Sequence, residues 1–203
     1  MKPKYTILLT AIVISLFLVN EFALHKNTGN STVAVTAAGS SGEALVGGAF
    51  ELTDQNGNKF TEQNLIGKYS LVYFGFTNCP HICPLALSNM SLALNELGGK
   101  AKDIQIVFIT ADPKRDTVER LKEFLGNFNA PIVGLTGTDE ALAKANSAYK
   151  VYAEKLSADA KGNYDINHTS IIYIMDKNGK FVSHFNHETK VADIVKKLKD
   201  INL

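Results

Sequence analysis

Apolar residues in this chain follow two periodicities that alternate along the sequence. Nearly continuous apolar runs at residues 70–76 and 104–110 are typical of strands that are buried on both faces of a sheet. Between these runs, residues 84–98 repeat apolar side chains at helical spacing, and a Gly-Gly pair follows where the helix should end. Pro84 suits the first turn of that helix, where its missing N–H is not needed. The pattern therefore predicts a strand–helix–strand unit.

Further elements follow from their boundary signals. Asp116 and Glu119 resemble a capping box that opens a helix, and Thr138 is a suitable cap for another. Asn-Gly pairs predict tight turns in two hairpins. The remaining predicted elements are a hairpin at 50–53 and 59–61, helices at 116–128, 138–149 and 189–200, a strand at 132–135, and a hairpin at 170–175 and 180–185. Strands that alternate with helices predict an α/β sheet with helices on both faces.

The first 24 residues have the pattern of a membrane segment. Lys2 and Lys4 precede an uncharged, mostly apolar run at 5–19, which favours a cytoplasmic N-terminus. Fifteen helical residues span about 23 Å, and an extension to residue 24 reaches about 30 Å, the thickness of a hydrocarbon core. We therefore expect residues 1–24 to be an uncleaved anchor. A cleaved signal peptide and a soluble protein are the alternatives.

A linker is expected between this segment and the folded domain. Residues 25–48 are rich in Gly, Ser, Thr, Asn and Ala and have neither helical nor strand periodicity, which is typical of a flexible tether. The folded domain is therefore predicted to cover residues 49–203.

Composition and charge exclude some classes of protein. Hydrophobic residues make up 45% of the 203 residues, which is typical of a globular protein. Lys and Arg number 21 against 20 Asp and Glu, so the net charge of +1 provides no cationic surface for nucleic acid. Glycine-rich nucleotide-binding fingerprints are absent from the sequence. We therefore predict no nucleic-acid partner.

Cys79 and Cys83 are the two cysteines of the chain, and they lie between the predicted strand 70–76 and the following helix. A helix N-terminus favours the thiolate, which is the reactive and metal-binding form of cysteine. Three intervening residues allow the sulfurs either to form a disulfide or to bind one metal ion. An inert structural disulfide is the alternative, although it would close only a short loop. The pair therefore predicts redox or metal chemistry without choosing between them.

A histidine close to the two cysteines would favour a metal site over redox chemistry. His25 lies in the linker, His81 lies between the cysteines, and His184 and His187 lie near a strand end. His168 precedes a predicted buried strand at 169–175, and loops at strand ends can approach a site at the end of another strand. The residues alone leave His168 open as a ligand or an ordinary loop histidine.

Three segments resemble one family of copper proteins. Residues 76–84 read Phe-Thr-Asn-Cys-Pro-His-Ile-Cys-Pro, which is similar to the Cys-Pro-x-x-Cys-Pro signature of the Sco family. Residues 111–117 resemble the Asp-Pro-x-Arg-Asp-Thr segment of that family, and residues 164–169 end in the histidine that the family places before a strand. The three segments occur in the family's order, and with the N-terminal segment the resemblance covers nearly the whole chain.

The resemblance implies a thioredoxin-like fold and a copper metallochaperone, a carrier rather than an enzyme. It implies delivery of copper to the binuclear copper centre of cytochrome c oxidase, with Cys79, Cys83 and His168 as the copper ligands. The implied partners are the copper-bearing oxidase subunit, a copper donor and a thiol reductant. A single-pass anchor in the cytoplasmic (inner) membrane would place the soluble domain on the exported, periplasmic side.

The same residues are compatible with another metal and with other functions. Two thiolates and an imidazole suit Cu(I) and accept Cu(II), but zinc also takes such a set. A thiol–disulfide oxidoreductase that acts on oxidase-subunit or other exported cysteines uses the same two thiols, as does a thiol peroxidase, because fold does not fix function.

Two features of the resembling segments need comment. Asn167 stands where the family usually has an aspartate, which leaves the ligand set intact but removes a charge, and Asp165 lies two residues earlier. Asp112, Arg115 and Asp116 are interpreted as a turn and a helix start, with Arg115 facing either the thiolates or a partner.

Overall fold

A computed structural model describes residues 45–201, within a compact unit that covers Ala44–Leu203. The predicted anchor at 1–24 and most of the predicted linker lie outside the described residues. At the start of the described part, the Gly47 N–H donates to the Ala148 carbonyl over 2.9 Å, and Val46 packs on the core. Within residues 45–201, no helix is long and apolar enough to cross a membrane.

Nine strands and four α-helices form the described part of the chain. The strands are β1 (Glu51–Asp54), β2 (Lys59–Thr61), β3 (Tyr69–Gly75), β4 (Ile104–Thr110), β5 (Ile132–Thr136), β6 (Ala153–Lys155), β7 (Ile166–His168), β8 (Ile171–Met175) and β9 (Phe181–Asn186). The helices are α1 (Ile82–Leu97), α2 (Val118–Leu125), α3 (Asp139–Tyr149) and α4 (Val191–Asp200). Short 3₁₀ helices occupy Glu62–Leu65 and Gly98–Asp103.

Seven strands form one mixed sheet in the order β2-β1-β5-β4-β3-β8-β9. Strands β3, β4 and β5 are parallel, whereas β1 pairs antiparallel with β5 and β8 pairs antiparallel with β3. Each of these two strands also forms a hairpin, β1 with β2 and β8 with β9. Strands β6 and β7 form a separate antiparallel pair. Because β3 lies inside the sheet, the loop that follows it, with Cys79, and the start of α1, with Cys83, lie at the carboxyl ends of the parallel strands.

Helices cover both faces of this sheet. Alternate residues of β3 enter two core clusters, with Leu71 and Tyr73 on one face and Val72 and Phe74 on the other. The first cluster contains residues of α1, α2 and α4, and the second contains residues of α3. Burial on both faces explains why β3 and β4 are continuous apolar runs. The predicted α/β sheet with helices on both faces is confirmed.

Three helix starts differ from the prediction by two residues; among them, α4 begins at Val191 and not at residue 189. Helix α2 begins at Val118 and ends at Leu125, and its cap is Thr117, whose side chain accepts from the Arg120 N–H. The predicted Asp116–Glu119 capping box is therefore wrong, because the Asp116 carboxylate is used elsewhere, as described below. Helix α1 begins at Ile82, two residues before Pro84, so that Cys83 lies within its first turn.

The β6–β7 pair was not predicted. Its strands have three residues each, and Ile166 is the one side chain in them that is fully buried, so the sequence there has no usable periodicity. His168 is the last residue of β7 and pairs with Ala153, whereas the prediction placed it before a strand at 169–175. The following strand, β8, starts at Ile171.

Candidate metal centre

The two cysteines lie on either side of the start of α1 and differ in exposure. Both are free thiols. Cys79 keeps 8% of its surface exposed, and Cys83 keeps 0%. A turn in which the Cys79 N–H donates to the Phe76 carbonyl over 3.2 Å returns the loop toward the helix. As a result, Cys79 is the outer thiol and Cys83 the inner one.

The sulfur of Cys79 acts as an acceptor for the first turn of α1. The N-cap residue, His81, makes no side-chain capping bond, and the Cys83 N–H instead donates to Cys79 Sγ over 3.4 Å. First-turn N–H groups lack helical partners and favour negative charge. The hydrogen bond from the Cys83 thiol lowers the pKa of Cys79 against the opposing effect of burial, and the His168 side chain and the Cys83 and His81 N–H groups lower it further. The same bond, together with burial, raises the pKa of Cys83.

His168 presents one ring nitrogen to the inner cysteine. Its Nε2 lies 3.8 Å from Cys83 Sγ, and its Nδ1 lies 3.1 Å from the Thr169 carbonyl oxygen. Because a carbonyl only accepts, Nδ1 carries the hydrogen in the neutral ring and Nε2 has its lone pair free. The rings of Phe76 and Tyr73 contact the imidazole edge-on, with centroids at 5.7 and 6.3 Å. Nε2 therefore faces the sulfur of Cys83.

Tyr73 and Gly75 fix the position of the inner sulfur from below, and the sequence analysis missed both. The Tyr73 hydroxyl donates to Cys83 Sγ over 3.6 Å. A Cβ at Gly75 would lie 2.8 Å from Cys83 Sγ and 2.8 Å from the Phe108 ring, closer than Cβ atoms come to neighbours in proteins. A glycine that ends a buried strand is a sequence signal for such close approach.

A pocket of about 290 Å³ opens onto the site. Cys79 and His168 line it, whereas Cys83 does not. Its walls also include His81, Asp165 and Asn167, all of which are exposed. The outer sulfur and the imidazole are therefore accessible from solvent, while the inner sulfur lies beneath them.

The other predicted candidates lie apart from these donors. His25 lies outside the described residues. His184 stacks on Phe181 within β9, and His187 lies 3.9 Å from a carboxylate oxygen of Glu188. The Arg115 guanidinium lies over the ring of Tyr164, with 3.7 Å to its centroid.

Cys79, Cys83 and His168 are neighbours, but hydrogen bonds join their atoms. Among residues 45–201, no group of three or more His, Cys, Asp or Glu side chains is arranged to hold a metal ion as it stands. The Cys79 sulfur accepts from the backbone N–H of Cys83, and Cys83 Sγ lies 3.8 Å from His168 Nε2. A metal ion would replace the thiol proton, since thiolates are the ligand form of cysteine. The donor set fits a soft ion such as Cu(I).

Comparisons with known proteins agree with this site. The SCO1/SenC family model matches residues 38–202. An SCO2-like protein of Rickettsia felis is 38% identical over 204 residues, which cover 98% of this chain and 99% of that protein.

Solved structures show the same fold. Bradyrhizobium japonicum ScoI with copper bound has a TM-score of 0.71 and 40% identity, over 76% of this chain and 98% of that chain. Yeast Sco1 with copper bound has a TM-score of 0.67 and 41% identity, over 76% of this chain and 88% of that chain. With the family model matched over most of its length, and with two cysteines and a histidine gathered at the end of the central strand, this chain belongs to the SCO1/SenC family.

Proposed function

We propose that this protein is a copper metallochaperone that binds copper through Cys79, Cys83 and His168 and delivers it to the binuclear copper centre of cytochrome c oxidase. The observation that carries the proposal is the convergence of two thiol sulfurs and a free imidazole nitrogen at the carboxyl end of β3. Two thiolates and an imidazole suit Cu(I) and also accept Cu(II). Relatives that are 40% and 41% identical have been solved with copper bound.

The difference in exposure between the ligands suits a carrier. Cys79 and His168 line the pocket, so an acceptor protein that enters the pocket reaches them before it reaches Cys83. Three protein ligands leave a coordination position for an incoming donor, which a metal that must be passed on requires. We expect transfer to begin by exchange at the pocket side, with Cys83 as the last ligand to leave.

The proposal includes a location and partners. A single-pass anchor at residues 1–24 would hold the domain on the periplasmic side of the inner membrane, where the oxidase copper-bearing subunit is the acceptor. A copper donor must load the site, and a thiol reductant must keep both cysteines reduced in an oxidising compartment.

Thiol–disulfide exchange is the second candidate function, and the unequal thiols favour it. An outer cysteine with a lowered pKa beside an inner cysteine with a raised pKa is the arrangement of an attacking and a resolving thiol. Both functions use the same two sulfurs, so the second could operate when the site holds no copper.

Copper analysis of the full chain tests the main proposal. We expect one copper ion per reduced chain, and copper at background level when Cys79→Ser and Cys83→Ser are combined. His168→Ala should weaken copper binding by roughly tenfold or more while both thiols stay titratable, because one of three ligands is lost. The control is His184→Ala, which changes an exposed histidine on β9.

The outcomes separate the candidates. Unchanged copper affinity in His168→Ala would exclude His168 as a ligand and favour His81. Disulfide turnover by a chain that binds no copper would favour the oxidoreductase.

Asn167→Asp should strengthen copper binding, and more so for Cu(II) than for Cu(I). Asn167 is exposed on the wall of the pocket, so the added charge is screened and should contribute about 1 kcal/mol or less, under a tenfold gain in affinity. The doubly charged ion should gain about twice as much free energy as the singly charged ion. Dissociation constants for both oxidation states measure this, with Asn56→Asp in the β1–β2 turn as the control. A Cu(I) gain equal to the Cu(II) gain would contradict the charge mechanism.

A further inference from the structure

The strand that carries His168 is not part of the main sheet. We call residues 153–168, which contain β6 and β7, the histidine hairpin. Its ladder pairs β6 only with β7, so the hydrogen bonds of the seven-stranded sheet do not fix its position. Apart from the two-residue connection from β7 to β8, contacts outside that sheet therefore hold this hairpin at the distance from the cysteines that the structure shows.

Tyr164 makes several of those contacts. Its hydroxyl donates to Asp112 Oδ1 over 2.8 Å, and its carbonyl accepts from Arg115 Nη1 over 2.9 Å. The Arg115 guanidinium lies over the Tyr164 ring, and Lys155 Nζ is 3.5 Å from the ring centroid. Arg115 also forms an ion pair with Asp112. Tyr164 is thus attached to the segment after β4 by its ring, hydroxyl and backbone.

The same segment also holds the cysteine loop. Asp116 is fully buried, and its carboxylate accepts from the N–H and the hydroxyl of Thr77 over 3.0 and 2.6 Å, and from the Thr110 hydroxyl over 2.6 Å. Thr77 is two residues before Cys79. We call Asp112, Arg115 and Asp116 the brace, because they contact both the histidine hairpin and the cysteine loop.

A second contact path connects the brace with the imidazole. The Arg115 guanidinium lies 5.8 Å from the centroid of the Phe76 ring, and that ring contacts His168 edge-on at 5.7 Å. The planar guanidinium of arginine stacks on aromatic faces and is preorganised, so less side-chain entropy is lost per hydrogen bond formed than with a lysine. Rigid support of this kind is what keeps a metal ligand in a productive orientation.

We propose that Tyr164 is a positioning residue for His168 and that the brace sets the distance between the histidine hairpin and the cysteine loop. The inference rests on the proposed function, because it assigns to these residues the preorganisation of the third copper ligand. Tyr164 itself touches neither sulfur nor imidazole in the structure, so its effect on copper must pass through His168.

A double-mutant cycle on the full chain tests that route. Cu(I) affinity is measured by competition with a chelator for the unmodified chain, Tyr164→Phe, His168→Ala and the double variant. Tyr164→Phe removes only the hydroxyl that binds Asp112 and should weaken Cu(I) binding about threefold to tenfold. In the His168→Ala background the same change should have no effect, because the ligand through which it acts is absent.

A tyrosine directly before the hairpin provides a matched control. Tyr152, which precedes β6, is exposed, and its hydroxyl donates to Glu154 Oε2 over 2.5 Å. Tyr152→Phe therefore removes the same kind of hydrogen bond without touching the brace and should leave affinity unchanged. Arg115→Lys keeps the positive charge but loses the planar guanidinium group that stacks and donates hydrogen bonds. It should weaken Cu(I) binding at least as much as Tyr164→Phe does.

Amide hydrogen exchange gives a readout that needs no copper. In the metal-free chain, Tyr164→Phe should speed exchange in β7 while exchange in β3 and β8 stays the same. Unchanged exchange in β7, or an equal loss of affinity with and without His168, would overturn the proposal. Failure of the unmodified chain to bind copper would instead overturn the proposed function, and the exchange result would still decide whether the brace holds the hairpin.

Discussion

Oxidation of Cys79 and Cys83 to a disulfide should abolish copper binding by this protein. The two thiols would give two electrons and two protons to the oxidant, and each sulfur would then be bonded to the other at about 2.05 Å instead of donating as a thiolate. With two of three ligands removed, affinity should fall by roughly a hundredfold or more. The Cys83 N–H already donates to Cys79 Sγ over 3.4 Å, so the two cysteines lie side by side at the start of α1.

The measurement compares copper stoichiometry in three samples of one preparation. The first is reduced, the second is oxidised and freed of oxidant, and the third is oxidised and then reduced again, which controls for irreversible damage. Mass spectrometry establishes the loss of two hydrogens in the second sample. Full copper binding by the oxidised chain would contradict the assignment of both sulfurs to the copper site, and failure of the third sample to recover would show that the treatment itself damages the site.

If copper and disulfide exclude each other, a single site serves both candidate functions. Copper occupies the reduced form, and the unequal thiols then act only in the copper-free chain. Cys79 lines the pocket, so its sulfur is the one that a partner protein can reach. When Cys79 is in a mixed disulfide, the thiol of a reductant can reach that bond from the pocket. The redox state of the compartment would therefore determine how much of the protein is able to carry copper.

Elements that are buried on both faces could be predicted from the sequence. Strand β4 lies at Ile104–Thr110, as predicted, because a central parallel strand needs an unbroken apolar run. Helix α3 was also predicted correctly, since Thr138 caps it and its buried side chains are at helical spacing. In these segments burial and local propensity agree.

The histidine hairpin could not be predicted because its stability comes from contacts distant in sequence. Its strands are short and largely exposed, so neither a period of two nor a continuous apolar run is present. Its attachment depends on Arg115 and Tyr164, which are 49 residues apart. Arg115 is predicted from the sequence to face the thiolates or a partner, and in the structure its guanidinium stacks on Tyr164 instead.

The prediction that Asp116 belongs to a helix capping box is also wrong, because it rested on local sequence alone. A carboxylate three residues before Glu119 fits a capping box, but Thr117 supplies a hydroxyl one residue later and becomes the cap. Asp116 is then free to turn inward, where Thr77 and Thr110 donate to it. No sequence pattern distinguishes a capping carboxylate from a buried one when a second cap residue is adjacent.

Asp116→Ala should destabilise the protein by about 3 kcal/mol at neutral pH, a large loss for a domain of this size. The alanine leaves the Thr77 N–H and two threonine hydroxyls without their acceptor in a buried site, and such groups are costly to leave unpaired. Urea unfolding measures the loss. The control is Asp139→Ala, an exposed aspartate in the first turn of α3, which should cost less than about 1 kcal/mol.

The pH dependence of this loss shows whether the fold stabilises the buried Asp116 carboxyl in its protonated form or in its charged form. Burial raises the pKa of Asp116 above its usual value of 3.8, although hydrogen bonds from Thr110 and Thr77 oppose the shift. The folded chain therefore binds a proton at Asp116 more tightly than the unfolded chain does. Stability from this group is fully present below the unfolded pKa and decreases as pH rises through the folded pKa. The difference in unfolding free energy between the unmodified chain and Asp116→Ala should thus be larger at about pH 4.5 than at pH 7. A difference that grows with pH would show instead that the fold stabilises the carboxylate in its charged form.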